Sequence, residues 1–159
     1  MKLRALLPVL VLLLLAVGGV YARSPQSLSR TSPPVNLTHI FEGEINKRGK
    51  PVGYHSRPRG KDPANARVAR VIDRPNRLGV YTAEVEIRSG SRWLSKRSTF
   101  YPDRMDRAAV LQAILNAYKS RTSGSSEKFR GPSGRGFTIE GYYQNGRINT
   151  AYPIFTRSE

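Results

Sequence analysis

The sequence predicts an α+β fold: a single domain with a mainly antiparallel β-sheet of four or more strands packed against one long α-helix, and shorter elements N-terminal to them. Three features carry that reading. Helical periodicity occurs once, at residues 106–121; apolar residues alternate at 78–88 and 92–101; and Asn145-Gly146 separates the apolar runs 137–143 and 147–155. Strands in succession with a single helix separate α+β from the regular alternation of α/β proteins. A chain of 159 residues holds one such domain with appendages.

Along the chain, Lys2 and Arg4 precede an apolar run from Ala5 to Val17, and Val20 and Ala22 follow it. This is the three-part pattern of a secretory signal peptide cut after Ala22. A membrane anchor needs about 20 apolar residues, and Pro8 interrupts the run. The expected location is secreted or periplasmic, with no stable membrane association after removal of residues 1–22. Residues 23–37 are rich in Ser and Pro without an apolar period, which reads as a linker. Asn36-Leu37-Thr38 also fits the short glycosylation pattern. The folded domain is expected over 38–156.

Both histidines, His39 and His55, lie in one glycine-punctuated segment. A turn at residues 46–49 would make this a hairpin centred on Lys47, with His39 opposite His55 and their Cβ atoms about 5 Å apart. Pro51 and the glycines at 43, 49 and 53 equally suit a longer loop. Residues 68–72 are short and ambiguous. In 78–88, Tyr81, Ala83, Val85 and Ile87 fall on one face of a strand, and 92–101 returns antiparallel after 89–91.

In the helix, Val110, Leu111, Ile114, Leu115 and Tyr118 form one stripe. Asp103 or Asp106 suits its start, and Lys119 and Arg121 suit its negative end. Residues 119–136 read as a Gly/Ser-rich basic loop. A two-residue turn at Asn145-Gly146 opposes Gln144 to Arg147, Tyr143 to Ile148, Gly141 to Thr150 and Ile139 to Tyr152. Thr150 and Tyr152 then share a face, with Gly141 either leaving space beside Thr150 or marking a bulge.

Composition narrows the chemistry. The chain has 27 Lys+Arg, 11 Asp+Glu, two His, no Cys and a formal charge of +16. Thiol catalysis, disulfides and Cys-ligated zinc are excluded, and the charge points to a polyanionic partner. Removal of residues 1–22 leaves +14. One imidazole can take the proton of an attacking hydroxyl while the other protonates a leaving oxygen, near neutral pH and without metal. RNA carries such a hydroxyl on its own ribose and DNA does not. His39 with Glu42 and Glu44 is a poor ligand set for a hard metal ion, so no cofactor is expected.

His39-Ile40-Phe41-Glu42-Gly43-Glu44-Ile45-Asn46, Gly49-Lys50, Gly53-Tyr54-His55 and Thr150-Ala151-Tyr152-Pro153 together resemble the bacterial EndoU ribonuclease domain. The resemblance spans nearly the whole expected domain and implies the α+β fold group that includes barnase. It implies metal-independent RNA cleavage leaving 2′,3′-cyclic phosphate and 5′-hydroxyl ends. It also implies His39 and His55 as catalytic histidines, Thr150 as the downstream hydroxyl and Tyr152 as the substrate-contacting aromatic. A lysine completes the site in the eukaryotic and viral branch; here Lys50, Lys61 and Lys96 are the candidates for charge stabilisation.

Lys50, Arg57, Arg59, Lys61, Lys128 and Arg130 are expected to bind RNA phosphates, those after 119 from a flap near the site. The expected protein is a secreted, monomeric endoribonuclease, either a toxin with a cognate immunity or inhibitor protein or a scavenging nuclease. A non-catalytic cationic protein binding nucleic acid or an envelope polymer is the alternative. A membrane-active protein is disfavoured because the helix lacks a basic face.

Overall fold

The computed structural model describes residues 27–122 and 127–157. The leader assigned to residues 1–22 lies outside them. In order, the elements are α1 (Leu37–Phe41), β1 (Glu44–Ile45), β2 (Pro51–Val52), β3 (Ala66–Asp73), β4 (Tyr81–Ser89), β5 (Arg92–Phe100), α2 (Arg107–Lys119), β6 (Lys128–Pro132), β7 (Thr138–Gln144) and β8 (Arg147–Pro153).

The strands are antiparallel, as expected, but do not form one sheet. β1 pairs with β2, β3-β4-β5 form one three-stranded sheet and β6-β7-β8 another. Each larger sheet serves a separate apolar cluster. Tyr81, Ala83, Val85 and Ile87 of β4 pack with Tyr54, Ala66 and Phe100. Ile139, Ile148, Ala151 and Phe129 pack with Val110, Ala113, Ile114 and Ala117 of α2. The helix therefore covers only the second sheet. Alternation and periodicity reveal which face of an element is apolar, not which other face it meets.

Helix α2 is the best-signalled element, at 13 residues against the 16 expected. Asp106 caps it, its side chain accepting from Ala109 N at 2.7 Å. Asp103 instead accepts from the Tyr81 hydroxyl at 2.8 Å.

Residues 27–36, part of the segment read as a linker, fold onto β8. Asn36 N donates to Ile148 O and Ile148 N donates to Pro34 O, both at 2.9 Å, and Val35 is fully buried. Asn36 is 1% exposed and its side chain caps α1, accepting from His39 N at 3.1 Å. The glycosylation pattern is thus a buried helix cap.

The stretch read as a basic loop contains β6, whose edge pairing with β7 runs from Lys128↔Tyr142 to Pro132↔Thr138. Its glycine and proline disguise a strand that has only Phe129 to bury.

The β7–β8 hairpin starts in the predicted register, Gln144↔Arg147 and Tyr143↔Ile148, and then slips. Asn149 bulges out, accepting from Arg147 Nε at 2.7 Å and donating to Gln144 O at 3.4 Å. The next pairs are Tyr142↔Thr150, Gly141↔Ala151 and Glu140↔Tyr152. One extra residue sends every later side chain of β8 to the other face. Ile148 and Ala151 face the helix, while Thr150 and Tyr152 join Glu140, Tyr142, Lys128 and Arg130 on the face away from it. Gly141 leaves no open space: a Cβ there would lie 2.4 Å from Phe129 Cζ and 2.8 Å from Thr150 O.

Candidate active site

A short hairpin lies between the two histidines, turning at residues 46–50, but its pairing does not extend to them as expected. The β1–β2 ladder has only the pairs Glu44↔Val52 and Ile45↔Pro51. His39 sits on α1, a helix too short to show a period, and His55 follows the ladder in chain without regular secondary structure. Direct backbone bonds join the segments: Tyr54 N donates to His39 O at 2.7 Å and His55 N to Ile40 O at 2.8 Å. Gly53 permits this approach, since at φ +77° a Cβ would stand 2.3 Å from His39 O. The imidazole centroids end 5.8 Å apart, their planes tilted by 32°.

Their outer partners distinguish the two rings. His39 Nδ1 lies 3.0 Å from Glu44 Oε1, with both side chains mostly buried. The carboxylate accepts the hydrogen bond from Nδ1–H and so fixes that tautomer of the ring. His55 Nδ1 lies 3.0 Å from Thr99 O, a carbonyl that only accepts, so Nδ1 carries the proton. Both Nε2 atoms are left for chemistry. His55 is 8% exposed, and burial, then Lys96, then His39 push its pKa well below 6.5 against the opposing Thr99 hydrogen bond.

Lys96 of β5 is the lysine that comes to this shell. Its ammonium donates to Gly53 O and Ser98 Oγ, both at 3.0 Å. Ser98 Oγ in turn donates to Tyr54 O at 2.7 Å and lies 3.1 Å from His55 Nδ1. Burial lowers the Lys96 pKa to about 8. Lys50 and Lys61 are exposed.

From the second sheet, the Tyr152 ring reaches a centroid distance of 5.3 Å from the His55 ring. Its hydroxyl donates to Glu140 Oε1 at 2.6 Å. Thr150, half-buried, is two residues back on the same strand face. The site therefore lies on the seam between the two sheets, with His55, Lys96 and Ser98 on one side and Tyr152 on the other.

The expected phosphate ligands divide. Lys50, Arg59 and Lys61 are exposed. Arg57 is committed internally, with Nε 2.7 Å from Asp62, Nη2 donating to Gly60 O at 2.8 Å, and Nη1 3.8 Å from Asp103. Lys128 and Arg130 stand on a strand rather than a flap, at 3.0 and 2.6 Å from Glu140. His39, Glu42 and Glu44 do not assemble a ligand set; among the described residues no group of three or more His, Cys, Asp or Glu does.

Sequence reasoning missed Ser98, Thr99 and Glu140, and weighed Glu44 only as a metal ligand. A backbone carbonyl leaves no sequence signal. Glu140 left one: it is the only acidic residue between Glu127 and Glu159.

The family model for bacterial EndoU nuclease matches residues 35–155. A Bacillus cereus protein named "Toxin" is 33% identical over 125 residues, covering 76% of this chain and 22% of its own length. This chain thus spans about a fifth of that relative. No solved structure matches. With the match covering both histidines, Lys96 and the β6-β7-β8 sheet, the chain belongs to the bacterial EndoU nuclease family.

Proposed function

We propose that this nuclease cuts RNA by attack of the ribose 2′-hydroxyl on the adjacent phosphorus, and that it acts as a toxin-type effector. One observation carries the chemistry. Two imidazoles face each other at 5.8 Å, each with Nδ1 tied to a protein acceptor, leaving two Nε2 atoms to flank one phosphodiester. Neutral His55 takes the 2′-hydroxyl proton on Nε2, and the 2′-oxygen bonds to phosphorus. The P–O5′ bond breaks, and protonated His39, backed by Glu44, delivers its Nε2 proton to O5′. The products are a 2′,3′-cyclic phosphate and a 5′-hydroxyl. Lys96 sets positive charge beside this step, and Tyr152 offers its ring to a base. The toxin part rests on the name of the Bacillus cereus relative.

The test is incubation of the protein with matched RNA and DNA strands in EDTA, followed by end-group analysis. RNA should be cut to cyclic phosphate ends and DNA left intact. Cleavage of DNA, or an EDTA-sensitive activity, overturns the proposal. Tight, salt-sensitive RNA binding without cleavage points to a cationic binding protein instead.

The pH profile supplies a second test. Below its pKa His55 is protonated and useless as a base, so its depressed value keeps activity below the ordinary histidine range. Lys96→Met removes a neighbouring cation and favours protonated His55. The acid limb of kcat/KM should therefore move to higher pH. An acid limb that stays in place or moves down contradicts this arrangement.

A further inference from the structure

Glu140 is an unusual residue to find in the interior of a basic sheet. Its side chain is 8% exposed. Burying a carboxylate is costly unless partners replace its lost hydration. Here the partners are complete: Oε1 accepts from Tyr152 OH at 2.6 Å and lies 3.0 Å from Lys128 Nζ, and Oε2 accepts from Arg130 Nε at 2.6 Å. The carboxyl stays below its ordinary range; burial opposes this, and Tyr152, Lys128 and Arg130 outweigh it. Packing alone does not call for a charge opposite a tyrosine, where an apolar cross-strand partner would serve.

The bulge at Asn149 explains the placement. It brings Tyr152 directly opposite Glu140, so the carboxylate holds the hydroxyl from the neighbouring strand while the ring lies against His55. Donating its proton to Glu140 commits the hydroxyl. What Tyr152 then presents to a ligand is its ring, fixed in tilt and position.

We propose that Glu140 is a positioning residue: through the Tyr152 hydroxyl it fixes the ring as a preformed stacking platform for a nucleobase, with Lys128 and Arg130 neutralising it rather than gripping phosphate. This deepens the ribonuclease reading and rests on it. The effect belongs to binding, because ordering one ring beforehand removes an entropic cost of association.

The experiment measures kcat and KM on RNA and, separately, the Kd for a fluorescent 2′-deoxy strand, in five proteins: the wild type, Glu140→Ala, Glu140→Gln, Tyr152→Phe, and Glu140→Ala with Tyr152→Phe. Loss of one charge-assisted hydrogen bond sets the scale at about tenfold. Glu140→Ala and Tyr152→Phe should each raise KM and Kd about tenfold and leave kcat within about threefold. Glu140→Gln retains an acceptor and should recover most of the affinity. The double variant should be no weaker than either single one, because both cut the same link.

Fully additive losses, or a fall in kcat with unchanged KM and Kd, overturn the proposal. If Glu140→Ala does not fold, Tyr152→Phe and Glu140→Gln still decide it: unchanged KM and Kd in Tyr152→Phe refutes it. A wild type that leaves RNA intact defeats the ribonuclease reading, while the Kd series still tests Glu140.

Discussion

Replacing His55 with alanine is expected to lower kcat/KM on RNA by about a thousandfold, and replacing His39 by a similar factor, in line with general acid and base contributions elsewhere. The two roles differ because the surroundings differ. His55 is buried against a neutral carbonyl with a lysine nearby, which favours the uncharged base. His39 is backed by a carboxylate, which accepts from Nδ1 and leaves Nε2 to donate.

A substrate change separates them. With a ribonucleoside 3′-aryl phosphate, the departing phenolate needs no proton. His39→Ala should recover most of its loss on that substrate and His55→Ala should not. Rescue of His55→Ala instead would reverse the roles, and near-wild-type activity of either variant on RNA would remove that histidine from the mechanism. The double variant should fall little below the worse single one, since the two act as a unit.

How much of this was legible in the sequence depended on the range of the signal. The α2 stripe, the β4 alternation and the Asn145-Gly146 turn are local patterns, and the structure keeps all three. The β7–β8 register was legible for two pairs and then lost, because the Asn149 bulge rests on side-chain bonds to Gln144 and Arg147 that alternation does not encode. That loss matters for the site. The unbulged register keeps Thr150 and Tyr152 together but puts them on the helix side, with Ile148. The histidines stood out by rarity and spacing, yet their meeting depends on a five-residue helix and a backbone contact. Lys96 could be named only as one of three candidates. Its proximity to His55 comes from long-range packing of β5 against residues 53–55.

Gly53→Ala is expected to show the largest loss of stability among single methyl additions around the site. The added Cβ meets His39 O at 2.3 Å and the His39 ring at 3.0 Å, on a backbone with φ +77°. Left-handed strain and overpacking together come to about 3 kcal/mol, or roughly 10 °C in Tm for a domain of this size. Gly49→Ala is the control. It also has positive φ, +73°, but its Cβ would meet nothing within 4 Å, so it should lose only about 1 kcal/mol from backbone strain. Thermal and urea unfolding of both variants give the comparison. The contact that Gly53 permits also sets the chemistry: Tyr54 N bonds His39 O, and Gly53 O receives Lys96 and Ser98. Forcing the segments apart should therefore lower kcat in the fraction of Gly53→Ala that remains folded, while Gly49→Ala keeps the wild-type value. Equal losses of stability in the two variants, or an unchanged kcat in folded Gly53→Ala, would show that the close approach of the two histidine segments is not what builds the site.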